Sequence, residues 1–189
     1  VTRALLAALA CLMQGCAARP RPIDPSQSPD ASIIPIAATF AAAVDDIHAD
    51  PDTRWHDGWG GNMIVNLGDP ETRGLCHQWR DAVYTRVLFA VRAEGWRARG
   101  IAVNRFRWGE HHAVLVHHPD LSPDDLLPTP PATRAYVLDA WQRGRPDIYT
   151  LRDWLILAHA DRRHPELLDL DRELLDRERR AKALLLQTN

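Results

Sequence analysis

Apolar residues along this chain recur at two periods. Between residues 75 and 94, Leu75, Trp79, Ala82, Val83, Val87, Ala90 and Val91 are spaced as one face of a helix, and Gly95 supplies a stop. The segment IAATFAAAVDDIH (36–48) predicts an earlier helix. Thr150, with Asp153 three residues on, resembles a helix start before LRDWLILAHA. A Leu-rich amphipathic stretch over about 165–186 predicts a last helix, supported by the pairs Glu173–Arg177, Asp176–Arg180 and Glu178–Lys182. Three shorter runs, GIAVNRF (100–106), HHAVLVHH (111–118) and AYVLDAW (135–141), read as strands. Pro119 ends the second, and a loop with Pro128, Pro130 and Pro131 precedes the third. Residues 50–74, with Trp55, Trp59, Gly58, Gly60, Gly61, Gly68 and Pro70, predict a long irregular loop of the kind that often carries function. The implied class is α+β, with a helix packed across a small sheet and further helices at both ends.

The first residues break this pattern. Val1-Thr2-Arg3, the apolar run ALLAALACLM and Gln14-Gly15-Cys16 have the parts of a secretory signal, and the run is too short to span a bilayer as a mature helix. Gly15-Cys16 resembles the lipobox of bacterial lipoproteins. That resemblance implies cleavage after residue 15, a lipid such as palmitate on Cys16, and a membrane partner reached through the anchor. Ala17 follows the cysteine in place of an Asp retention signal, which implies the outer membrane, facing the periplasm. Residues 16–30 contain Pro20, Pro22, Pro25 and Pro29 and predict an extended tether. The remainder, 31–189, reads as one domain.

Composition narrows the chemistry. Hydrophobic residues make up 46% and charged residues 25%, so the bulk is a packed domain; the formal net charge of −2 and the absence of a basic patch give nucleic acid no foothold. Of three cysteines, Cys11 lies in the leader and Cys16 at the acylation position, leaving Cys76 as the sole thiol of an exported chain. A thiol attacks as the thiolate. Cys76 falls in the first turn of its helix, where unpaired N–H groups and the macrodipole favour negative charge. A histidine could take the proton, and an acid could hold that histidine's tautomer. On the strand 111–118, His112, Val114 and Val116 share one face and His111, Ala113 and Leu115 the other, so one of the two histidines points at the helix. Asp139 lies on the next strand. The histidines 77, 111, 112, 117 and 118 lack metal-site spacing, and no metal or other cofactor is expected. The tryptophans predict core and groove wall, with one or two in the 50–74 loop lining a cleft.

Gly74-Leu75-Cys76 before a helix, His112-Ala113-Val114 on a strand and Leu138-Asp139 on the next together resemble the transglutaminase-like cysteine peptidase superfamily. The resemblance covers about residues 55–145. It implies a transglutaminase/papain-like core, a catalytic helix packed on a small antiparallel sheet, in which Cys76 is the nucleophile, His112 the general base and later acid, and Asp139 the orienting residue. The family's His-Ala-hydrophobic pattern selects His112, with His111 as the alternative. The implied reaction is acyl transfer at an amide or peptide bond through a thioester; a peptide or peptidoglycan stem is the substrate expected from the envelope location alone. The Cys76 N–H is the natural oxyanion donor. Asn66 is the preferred second donor, with Asn62 and Trp59 as other candidates. The competing expectation is a non-catalytic envelope lipoprotein that uses the same fold for binding or assembly.

Overall fold

The computed structural model describes residues 19–66, 72–160 and 164–187. The leader and Cys16 lie outside the described residues. The fold is mixed α+β, with a five-stranded antiparallel sheet and six α-helices among the described residues. The sheet is built from β3 (Arg97–Val103), β4 (His111–His117), β5 (Ala135–Asp139) and β6 (Asp147–Thr150), with β7 (Pro165–Leu168) returning to the far edge beside β3. Two further strands, β1 (Arg54–Trp55) and β2 (Thr72–Arg73), form a separate parallel pair.

One face of the sheet is covered by α1 (Ile33–His48) and α3 (Cys76–Ala93). The apolar stripe of α1 is Ile33, Ile36, Phe40, Ala43, Val44 and Ile47, all buried. The helix begins three residues before the predicted start because Pro35 sits in its first turn, where a missing N–H costs nothing. From α3, Trp79, Val83, Val87 and Val91 meet Val114 and Val116 of β4 and Leu138 of β5. Each such side chain contributes roughly 1.5–3 kcal/mol on burial. The opposite face carries Ile101, Val103, Ala113, Leu115 and Val137, covered by Trp154 and Leu155 of α5 (Leu151–Leu157). The expected Thr150 cap is present: its Oγ1 accepts the Asp153 N–H at 3.1 Å. A short helix, α4 (Pro123–Leu126), buries Leu126 against the same face.

Three stretches differ from the pattern expected of them. The strand predicted at 100–106 lies at 97–103, because Asn104 (φ 54°) and Phe106 (φ 63°) take left-handed conformations that end the ladder. The segment predicted as loop contains α2 (Gly58–Asn66). Its three glycines lower helix propensity, but Gly61 permits a close approach, since a Cβ there would stand 2.8 Å from His56 Cβ. The last predicted helix starts late. Residues 165–168 pair with β3 instead, and α6 (Leu170–Gln187) follows. Pro165 is tolerated at the first position of this edge strand.

Ion pairs hold α6 to the body. Arg80 of α3 is 2% exposed and binds Asp81 and, at 3.5 Å, Glu173. Glu173 also takes Arg105 at 2.6 Å, Arg177 pairs with Asp81, and the Tyr84 hydroxyl donates to Asp171 at 2.9 Å. At the other end of the chain, residues 19–30 lie against the domain. The Ile23 N–H donates to the Ile148 carbonyl at 2.7 Å, adding to the open edge of β6, and the Tyr136 hydroxyl donates to Asp30 at 2.5 Å. No described helix is long and apolar enough to cross a membrane.

Candidate functional site

Cys76 opens α3 after a tightly fixed approach. Gly74 passes so close to His56 that a Cβ would meet its carbonyl oxygen at 2.8 Å. The Trp141 indole N–H donates to the Gly74 carbonyl at 2.8 Å, and that of Trp79 to the His56 carbonyl at 2.7 Å. The Gln78 side chain folds back to accept the N–H groups of Gly74 (2.9 Å) and Leu75 (3.1 Å). The Cys76 N–H, at the first helical position, has no intrahelical partner. The thiol is 5% exposed, and its Sγ lies 3.8 Å from the Glu110 carbonyl oxygen.

Beside the thiol stands His111, not His112. His111 Nε2 and Asp139 Oδ2 are 2.7 Å apart, and the same oxygen accepts the Trp154 indole N–H at 2.9 Å. The imidazole lies between the rings of Trp141 (centroids 4.8 Å) and Trp154 (5.4 Å). Its other nitrogen, Nδ1, is buried without a hydrogen-bond partner among the described residues. Burial is the largest single influence and opposes charging the ring. The charge and hydrogen bond of Asp139, with smaller help from the Cys76 side chain, outweigh it and raise the His111 pKa to about 9. At neutral pH the ring is therefore an imidazolium, with Nε2–H on the carboxylate and Nδ1–H free to serve the sulfur.

The expectation for His112 is corrected by sheet register. Val114 of β4 lies opposite Leu138 of β5, and Leu115 opposite Val137. Side chains alternate, so Asp139 shares its face with Ala113 and His111, while His112 points to the other face. There His112 has both nitrogens committed. Arg80 can only donate, so Nδ1 accepts from it at 2.8 Å, and Nε2–H donates to the Glu110 carboxylate. Burial first, and then the neighbouring Arg80 charge, push its pKa down to about 2. A neutral imidazole whose only lone pair is occupied cannot take a proton from a thiol.

A cleft of about 240 Å³ opens above Cys76, lined among others by Trp59, Asn62, His77, Arg107, Trp108 and Glu110. Trp59 and Trp108 are 53% and 92% exposed, with ring centroids 6.1 Å apart. Trp59 also meets Trp141 edge-on, so the aromatic wall is continuous with the ring that packs on His111. The Asn66 side chain lies outside the described residues, whereas Asn62 lines the cleft with its Oδ1 buried and unpartnered. No group of three described His, Cys, Asp or Glu residues is arranged to hold a metal ion.

No family model, no curated protein and no solved structure matches this chain. The site is read from its own chemistry. Cys76 and Asp139 are both neighbours of one imidazole, that of His111, with Asp139 on Nε2 and the thiol on the side of Nδ1. The residues missing from the sequence reading are Trp154, which fixes Asp139, and the Arg80–His112–Glu110 chain, which braces the cleft floor. Trp154 carried no local signal. His111 did: two strand residues meet across a ladder only if the register gives them one face.

Proposed function

We propose that this chain is an exported, lipid-anchored cysteine hydrolase with a transglutaminase-like core, acting on amide or peptide bonds with His111 as its base. The observation that carries the reading is the His111–Asp139 pair beside the Cys76 thiol. The Cys76 sulfur, as thiolate, attacks the substrate carbonyl carbon, and charge moves to the carbonyl oxygen. The Cys76 N–H and the Asn62 side chain are the donors available to that oxygen. As the C–N bond breaks, His111 gives its Nδ1 proton to the departing amine, leaving a thioester. Water then loses a proton to His111 and attacks the thioester carbon. The C–S bond breaks, releasing the acid and restoring thiolate and imidazolium. Asp139 holds the ring orientation throughout and stabilises its charge. A peptide or peptidoglycan stem is the substrate class proposed, from the envelope location that the leader implies.

The test is alkylation of Cys76 by iodoacetamide as a function of pH. Rapid alkylation of the folded protein at neutral pH is expected. It should be lost in His111→Ala and retained in His112→Ala. An inert thiol at neutral pH in the folded protein would instead support the binding-module reading.

A further inference from the structure

One cation of the Cys76 cleft, Arg107, has no partner among the described residues. Arg107 is exposed at the cleft wall, and its guanidinium makes no hydrogen bond or ion pair among the described residues. The neighbouring Glu110 carboxylate makes no ion pair with it. Glu110 Oε1 accepts His112 Nε2–H, and Glu110 Oε2 accepts the Phe106 N–H at 3.1 Å. The loop bearing Arg107 is closely tied. The Arg107 N–H donates to the Asn104 carbonyl at 2.9 Å, the Glu110 N–H to the Arg107 carbonyl at 3.1 Å, and Asn104 Nδ2 to the Trp108 carbonyl at 3.0 Å. Phe106 is held at φ 63°, a conformation that is costly for a bulky side chain. This strained, cross-braced loop thus presents the Arg107 cation and a largely exposed indole side by side at the cleft above Cys76.

We infer that the cleft selects acyl substrates bearing a carboxylate close to the scissile carbonyl, the carboxylate meeting Arg107 and the adjoining flat or apolar part lying against the exposed surface of the Trp59–Trp108 pair. Arginine suits this role because its planar fork matches a carboxylate with two parallel hydrogen bonds. The neutral acyl portion gains from two indole faces that are already exposed and partly aligned. Peptides with an acidic side chain or a free terminal carboxylate next to the cleaved bond fit this description. This inference rests on the Cys76 reading above and deepens it.

Two alkylating probes of near-equal size separate charge preference from thiol reactivity. Iodoacetate is anionic and iodoacetamide neutral, and both form the same carbon–sulfur bond with loss of iodide. The readout is the ratio of their second-order rates at Cys76, followed by intact-protein mass at pH 7 and low salt. In the full folded chain, Arg107→Gln should lower the iodoacetate-to-iodoacetamide ratio by about fivefold, the effect of one partly screened charge. Arg152→Gln, which makes the same charge change on an exposed part of α5, should leave the ratio as it was. A ratio that stays within experimental error in Arg107→Gln, or that falls equally in Arg152→Gln, overturns the inference. If iodoacetamide itself fails to react, the nucleophile reading fails first, and that result is distinguishable from an insensitive ratio.

Discussion

Replacing Asp139 with asparagine removes one charge from the centre of the site and almost no volume. In the parent protein the His111 pKa stands at about 9 against an ordinary 6.5, so the folded state holds one more proton than the unfolded chain between those values. Stability from this group is complete below pH 6.5 and is lost as pH rises through 9. The gap of about 2.5 units corresponds to roughly 3 kcal/mol. In Asp139→Asn the carboxylate's charge is gone and burial acts unopposed, so the imidazole becomes neutral and the slope over this range disappears. The comparison is best made in a Cys76→Ser background, which removes the thiol's own titration. Urea unfolding followed by tryptophan fluorescence from pH 6 to 9.5 supplies the free energies. His77, His112 and His117 do not confuse the window, since burial pushes all three below 6.5, and the raised tyrosines titrate above it. Equal slopes with and without the Asp139→Asn substitution would refute the pairing of this carboxylate with His111.

Other substitutions separate bracing from chemistry. His112→Ala strips the nearly buried Arg80 of its Nδ1 acceptor and should lower unfolding free energy by about 2 kcal/mol in urea titrations. Gly74→Ala should both destabilise the fold, by about 1–3 kcal/mol, and slow iodoacetamide alkylation, because the new Cβ displaces the approach to Cys76. Glu173→Gln should loosen α6, lowering the melting temperature by a few degrees, an effect that shrinks in high salt because the ion pairs to Arg80 and Arg105 are partly open to solvent.

The long periodic elements were legible because their burial is one-sided. The stripe Trp79, Val83, Val87, Val91 is the same in the sequence and in the folded α3. The alternation on β4 was legible too, including the fact that adjacent histidines face opposite ways. What alternation cannot supply is the partner strand's offset. A shift of β5 by one residue would have set Asp139 on the face of His112, and only the observed pairing of Val114 with Leu138 excludes it. His112 does point at the α3 side, as the helix-facing histidine was expected to, but it finds Arg80 there. Cys76 lies at the helix end, beyond the sheet's face, where the first residue of β4 can reach it. The glycine-rich α2 escaped notice because its reason for existing is contact with His56, which no local pattern encodes. The β6 strand was too short, at four residues, to stand out from its turn.

The backbone bond between Ile23 and Ile148 has a practical corollary for anyone expressing the protein. A clone begun at residue 31, where composition alone would start it, loses that bond and the Asp30 contacts with Tyr136 and Arg134, and leaves the β6 border without its covering segment. Such a border recruits other chains, so the shortened protein should precipitate or self-associate, while one begun at residue 19 should remain monodisperse by light scattering.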